Sequence, residues 1–528
     1  RKSYKKTIIL MLETSKHLYQ PPFYRSGDGD WSASYEQVMS KSKKLTIDNT
    51  AVAAMLSFGQ VSQNRTLFQE INRLPWLSKI NNEGKIVLED VPRHDFYTGE
   101  NDFLAKLLYE KLTNEARSVI KFYSKIYILL TGGLDSRIVA GIFENLYNNG
   151  EIKEKPICLT WGQENSRDVV YARKMANSLN FEWQHIPLNA ETVVENIKKC
   201  GEYLGLLHSP EMLHSMLWFK NIPKDSIVIA GSFGDSIGRA EFAGLHLLQL
   251  TKKEPSNVYN ILNDSVFEST IPGLLIDLNE IHSRGGDYTL NYMQCEYWMQ
   301  GYRMRNGLCH ALSVINRFAK VYQMFTSPEV YSFMWSLHPS RRDDNMYFTL
   351  LRNYFPILAR IPWARTNKPI IGNYADKGLK SHYHDYTKWS QSVLYNDVKK
   401  LVDPEWFAAK QLFNPKSIEK MNIWVSNSTE RVGRLNDIWL WLAGFRYYID
   451  QLEERGVNIH FEVQDSNKEG VIKKELHTNN LKSTVIHLVS NSLILNEKLK
   501  YVRSKYRIYI LDRLKKSMIV KYPPKQLQ

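Results

Sequence analysis

Between residues 101 and 230 the spacing of apolar positions switches repeatedly between two periods. Stretches with apolar residues three and four apart predict helices over 102–122, 135–148, 166–180, 190–207 and 211–220. Short β-branched runs between them predict strands over 126–130, 156–161, 182–186 and 226–230. Strands alternating with helices predict an α/β fold: a parallel sheet with helices on both faces. Upstream, β-like runs at 7–12, 51–58 and 85–88 are divided by polar clusters such as RSGDGDWSAS, which predicts a small antiparallel α+β piece. From 240 to 455 the spacing is mostly helical and rich in aromatics, as in YQMFTSPEVYSFMWSLHP. The tail adds one β-like piece at 483–488 and a basic helical end. Expected boundaries are 1–98, 99–458 and 459–528.

Composition narrows this picture. The 528 residues are 43% hydrophobic and 12% aromatic, enough for two or three domains around a sizeable core. No run of eighteen apolar residues suggests a membrane span. The opening RKSYKKTIILMLE has a basic start and a short apolar run, but Glu13 interrupts it and no small-residue cleavage site follows, so a strand is expected rather than a signal peptide. The chain starts at Arg1 without methionine, which suggests that residues upstream were removed. Cys158, Cys200, Cys295 and Cys309 form no CxxC pair, which argues against a disulfide framework or structural zinc and leads us to expect a cytoplasmic protein. The net charge is +14, with many cations between Lys498 and Lys525 interleaved with Tyr501, Tyr506, Tyr509 and Tyr522. A solvated basic face accounts for such a tail; contact with an anionic membrane surface is the sharper alternative.

The densest chemistry lies at KIYILLTGGLDSRIVAGIFEN, residues 125–145. A strand ending at Leu130 runs into the turn Thr131-Gly132-Gly133, and Leu134-Asp135-Ser136 opens a helix. Strand, glycine turn and helix N-terminus aim N–H groups at an anion, and glycine permits close approach. Thr131 and Ser136 add hydroxyl donors, and Asp135 can hold a divalent cation against phosphates. No lysine follows the second glycine, so this is not the GxxxxGK[ST] loop. A second strand ends at Trp161-Gly162, beside the first in a doubly wound sheet, so Trp161 is a candidate for stacking on a base; Ser166 and Asp168 suit a helix start. A third strand ends in Gly231-Ser232-Phe233-Gly234-Asp235-Ser236, again a glycine turn with an aspartate. Asp135 and Asp235 would form a carboxylate pair for Mg²⁺. His208, Glu211 and His214 could line an acceptor pocket or bind zinc, though they lack a further ligand. Arg303, Arg305 and Arg317 could bind an anionic substrate.

TGGLDS resembles the SGGxDS pyrophosphate loop of the N-type ATP pyrophosphatases, with Thr131 for the usual first serine. With LTWG…SRDVVYARKMANSL and GSFGDSIGR it is similar to the synthetase domain of the asparagine synthetase superfamily. NRFAKVYQMFTSPEVYSFMWSLHP, LLRNYFPILARIP and IWLWLAGFRYYIDQL resemble later family elements, and LSFGQVSQNRTLFQEINRLP resembles the end of its N-terminal glutaminase domain. The resemblance covers about 45–455 and implies an adenine-nucleotide-α-hydrolase-like fold. It implies a ligase that uses ATP and Mg²⁺ to adenylate a small-molecule or peptide carboxylate, releasing pyrophosphate, and passes it to an amine. The nucleotide would be held by Leu129, Thr131, Gly132, Gly133, Leu134, Asp135, Ser136, Trp161 and Gly231. Asp135 and Asp235 would hold metal, and Asp135, Asp235 and Ser232 would act in catalysis.

This chain departs from the family at several points. The family's glutaminase uses an N-terminal cysteine, and no cysteine precedes Cys158. We therefore expect no release of ammonia from glutamine. Ser232 and Ser236 stand where the family carries acidic residues, and Phe348 stands at the place of a lysine that stabilises charge; Arg341, Arg342, Arg352 and Lys368 are nearby substitutes. These changes leave a non-catalytic nucleotide-binding relative or partner protein as one alternative. The basic charge leaves a tRNA-modifying ATP pyrophosphatase as another, although no specific nucleic acid partner is expected.

Overall fold

The computed structural model describes residues 23–25, 31–81, 85–239, 254–283, 291–427, 434–462 and 525–527. At its centre lie five parallel strands: β1 (Lys125–Leu129), β2 (Ile157–Gly162), β3 (Glu182–Pro187), β4 (Ser226–Ala230) and β5 (Lys320–Gln323). Their order is β3-β2-β1-β4-β5. Ile128 pairs with Cys158 on one side and Ile229 on the other. All five residues of β4 are buried, as helices on both faces of a parallel sheet require.

The chain order reverses between β1 and β4. At such a switch point the loops leaving the two strands diverge and open a crevice above their carboxyl ends. Both glycine turns, 131–134 and 231–234, leave from these strands. Helices α1 (Asn101–Ile120) and α2 (Asp135–Asn148) pack on each other, and α3 (Arg167–Ser178) covers β2 and β3. Ile138, Val139, Ala140, Ile142, Phe143 and Leu146 of α2 are all buried. Gly141 of α2 faces Phe355, and a Cβ there would lie 2.5–2.7 Å from three ring atoms.

The pattern of elements over 101–230 agrees with the sequence reading except at 211–220, and two further corrections lie outside that span. Residues 51–58 are not a strand; Asn49–Phe58 is a helix, capped by Asp48, whose side chain accepts from Ala51 N–H, and closed by left-handed Gly59 at φ 91°. A short unbroken apolar run has no period to tell helix from strand, and here it is buried on all sides. Residues 211–220 are not one helix but two 3₁₀ turns, Pro210–Leu213 and Met216–Asn221, separated by His214 at φ 44°. The strand β5 lies in a stretch expected to be helical; four residues are too few to carry a period.

The N-terminal piece holds an antiparallel sheet, Phe23–Arg25 between Trp31–Ser32 and Ile71–Arg73. Strand Lys44–Thr46 pairs in parallel with Asn458–His460, beyond the long helix Leu435–Glu454. The expected β-like pieces at 7–12 and 483–488, and the basic tail apart from Lys525, lie outside the described residues. Among the described residues no helix is long and apolar enough to cross a membrane.

Gly141→Ala gains helix propensity of about 1 kcal/mol. The methyl must displace a buried ring, at about 1–3 kcal/mol. We expect net destabilisation, read as a lower denaturation midpoint with an unchanged denaturant slope. An equal or higher midpoint would show that Phe355 yields freely.

Candidate functional site

The first glycine turn is held by its own side chains. Thr131 N–H donates to Ser136 Oγ at 3.1 Å, and the two hydroxyls also lie 3.1 Å apart. Gly133 N–H donates to Thr131 Oγ1 at 3.2 Å, and Gly132 N–H to Asp168 Oδ1 at 3.1 Å. Burial raises the Asp168 carboxyl above its usual range, opposed by this N–H and by His382. An incoming phosphate would compete with these side chains for the same donors.

Arg137, in the first turn of α2, fixes the glycine turn from below. Its Nη1 donates to the carbonyls of Leu358 (2.8 Å) and Ile361 (2.6 Å), and its Nη2 to Pro362 (2.9 Å) and Gly132 (3.3 Å). It is fully buried, and burial lowers its guanidinium to about 9. Ala364 N–H in turn donates to Gly132 O at 3.0 Å. A Cβ on Gly132 would meet Ala364 Cβ at 2.6 Å, so only glycine allows this junction.

The second turn closes over α2. A Cβ on Gly231 would lie 2.7 Å from Ser136 N, and one on Gly234 would lie 2.5 Å from Asp135 Oδ1. Phe233 adopts φ 72°, and Tyr347 OH donates to Gly234 O at 3.0 Å. Asp235 Oδ1 accepts from Ser236 N–H at 2.7 Å. Arg239 Nε and Nη2 straddle Asp135 at 3.3 and 3.2 Å, while Nη1 reaches Asp344 at 2.7 Å. The Arg239 guanidinium also lies 5.6 Å from the rings of both Tyr347 and Trp363. Asp135 is pushed up to about 6, first by burial and then by the Asp235 charge, against the pull of Arg239. Two neighbouring carboxylates, one of which raises the other, are suited to a shared cation. Their surroundings fit Mg²⁺, which needs one or two protein carboxylates when phosphate and water supply the remainder.

The expected site residues fall as follows. Leu129 and Leu134 are buried packing residues flanking the turn. Trp161 is half-buried at the end of β2, stacked on His214 with centroids 6.1 Å apart. A strap covers this strand end: Gln163 N–H donates to Tyr383 O (2.8 Å) and Arg167 N–H to Lys380 O (2.9 Å). Burial lowers His214 to about 3, so it is neutral, with Nδ1 2.6 Å from Tyr386 OH. Among the described residues no group of three or more His, Cys, Asp and Glu side chains could hold a metal, so His208, Glu211 and His214 are not a zinc centre. Ser232 lies half-buried beside Gly231 on the crevice turn, and Ser236 is buried.

Phe348 packs edge-on against Trp363 at 6.1 Å. The suggested substitutes for a lysine there do not gather. Arg342 is buried in a fork with Glu296 at 2.6 and 2.9 Å, Arg341 donates to Thr98 Oγ1, and Arg352 and Lys368 are exposed. The cation at the site is Arg239, which the sequence reading missed; its position one residue beyond the GSFGDSIG run was the available signal. Arg303, Arg305 and Arg317 do not converge either: Arg317 pairs with Glu36 and stacks on Tyr203, Arg305 is buried, and Arg303 is exposed.

Residues 110–254 match the family model described as Asparagine synthase. A 94-residue stretch is 31% identical to the glutamine-hydrolyzing asparagine synthetase of Gallus gallus, covering 18% of this chain and 16% of that protein. The match thus spans about a sixth of the relative's length.

The raised Asp135 carboxyl gives a pH signature. The folded chain binds more protons than the unfolded one between the ordinary value of 3.8 and about 6. Stability from this group is therefore present below 3.8 and lost as pH rises through 6. Asp135→Asn should be stabilised relative to the parent above pH 6, by at most about 3 kcal/mol, with no such gain below pH 4. Calorimetric melting at both pH values checks this; a difference independent of pH would contradict it.

Proposed function

We propose that this chain, a member of the asparagine synthetase superfamily through residues 110–254, is an ATP-dependent ligase that activates a carboxylate by adenylation. The observation that carries this is the meeting of two glycine turns at the switch point of the sheet, with Asp135 and Asp235 between them. The turn 131–136 would take the β and γ phosphates, leaving the α-phosphorus open above the crevice. Mg²⁺, held by Asp135 and Asp235, would neutralise phosphate charge. A substrate carboxylate oxygen attacks the α-phosphorus, the bond to the bridging oxygen breaks, and pyrophosphate leaves with its electron pair. The acyl-adenylate is then captured by an amine, which loses a proton, giving an amide and AMP.

The side chains supply position and charge. Thr131 and Ser136 hydroxyls donate to phosphate oxygens. With Asp135 on the metal, Arg239 would keep its bond to Asp344 and turn the edge that now grips Asp135 to the phosphates. It thus restores the charge missing at Phe348, whose ring packs on the same indole, Trp363, as the Arg239 guanidinium. The loss of a lysine at Phe348 also favours a second reading, in which the chain binds nucleotide without turning it over.

With ATP, Mg²⁺ and a panel of carboxylates, the expected products are AMP and pyrophosphate, followed chromatographically. Asp135→Asn and Asp235→Asn should abolish metal-dependent turnover. Arg239→Gln should lower kcat by roughly 10²-fold with a smaller effect on KM. ADP and phosphate would contradict adenylation, and tight ATP binding without cleavage would favour the non-catalytic reading.

A further inference from the structure

Away from the glycine turns, a second cationic group is buried where the N-terminal piece meets helix 299–309. Arg73, on strand Ile71–Arg73, is 1% exposed. Its Nη1 donates to Asn306 Oδ1 at 2.7 Å, but Nε and Nη2 are buried without a hydrogen-bond partner. Among the described residues no carboxylate pairs with it; burial lowers it to about 10, so it stays charged at neutral pH. A buried cation without a counter-charge is costly, and buried polar groups ordinarily find partners.

The surroundings are polar but neutral. Arg73 lies over the Phe23 ring at 6.0 Å, and Phe23 meets His310 edge-on at 5.9 Å. His310 meets His208 edge-on at 5.6 Å. Both histidines are shifted down by burial first, and Arg73 pushes each further, so neither carries charge. His310 Nε2 lies 2.8 Å from Leu204 O and His208 Nδ1 3.0 Å from Ser209 O. His208 Nε2 and Gln60 Nε2 are buried without partners, and residues 60 and 208 are bridged strand-like side by side. Arg305, also fully buried, donates to Asn64 Oδ1 at 3.3 Å and to Leu74 O, both uncharged acceptors.

The open nitrogens of Arg73 are informative. Nε–H and one Nη2–H point along the same edge of a guanidinium, the edge that grips two oxygens of one carboxylate or phosphate. Arg239 uses this same edge on Asp135. Arg73 has the edge, with Asn306 fixing the opposite side, but no oxygen of the described residues fills it. We propose that Arg73 is a buried binding site for a small oxyanion, a carboxylate or phosphate group gripped by the Nε–Nη2 edge. This site is separate from the nucleotide turn and does not depend on adenylation. Helix 299–309, which carries Asn306, also packs against the 234–238 turn, so the two sites share a wall.

The test is melting and calorimetric titration of the full chain with acetate, succinate or inorganic phosphate, at ionic strength matched with chloride. At least one oxyanion should raise the melting temperature saturably, and comparison of the carboxylate and phosphate arms identifies the source. Arg73→Lys keeps the charge but removes the paired edge and should weaken binding at least tenfold. Arg73→Met should abolish it. Asp135→Asn, which alters the nucleotide turn, should leave it intact, so that failure of one site is distinguished from failure of the other. No effect beyond matched chloride, or undiminished binding by Arg73→Lys, would overturn the proposal.

Discussion

The crevice depends on one buried guanidinium. Arg137 gathers the carbonyls of Gly132, Leu358, Ile361 and Pro362. A guanidinium stripped of water costs several kcal/mol. Hydrogen bonds from a charged donor return about 1.5–3 kcal/mol each, so four of them offset part of a burial that still lowers the guanidinium to about 9. They also tie two distant stretches together. The glycine turn belongs to the β1–α2 connection, while residues 358–364 come more than two hundred positions later. Ala364 N–H closes the junction on Gly132 O, and the missing Cβ of Gly132 lets the two backbones touch. Without Arg137 the turn would be a loose connection; with it, the hydroxyls of Thr131 and Ser136 face a fixed place.

Charge is balanced above that frame rather than within it. Asp135 sits between an attractive Arg239 and a repulsive Asp235, with 17% of its side chain exposed. Arg239 is shared with Asp344, the second residue of a capped helix start. It can therefore release Asp135 and remain paired. On the proposed function, an arginine or a metal ion would be the alternative partners of that one carboxylate. The Arg239–Asp344 bond and the flanking rings of Tyr347 and Trp363 limit how far the guanidinium can move.

Local chemistry was legible in the sequence where short motifs sit on periodic elements. TGGLDS and GSFGDS announced themselves through glycine, hydroxyl and aspartate at strand ends, and alternation of strands and helices placed both on one sheet. The fold brought Asp135 and Asp235 together as expected. What could not be read were pairings across the chain. Arg137 looks like any polar residue of a helix start, because its four acceptors are backbone atoms with no side-chain signature. Arg239 became visible only when the 234–238 turn folded back over α2. Residues 51–58 were misassigned because a short buried apolar run shows no period, and residues 320–323 because four residues are too few to carry one. Arg73 falls in the same class, since its isolation from the carboxylates of the described residues is a property of packing alone.

The central claim is that the turn pinned by Arg137 is a cradle for pyrophosphate. It is tested most directly by calorimetric titration with Mg²⁺-pyrophosphate, in competition with ATP, for the parent and Gly132→Ala. A methyl at Gly132 would lie 2.6 Å from Ala364 Cβ and force the junction open. Pyrophosphate should bind, displace ATP, and be lost together with ATP in Gly132→Ala while the melting transition remains cooperative. Pyrophosphate that fails to displace ATP, or that binds Gly132→Ala as tightly as the parent, would contradict it.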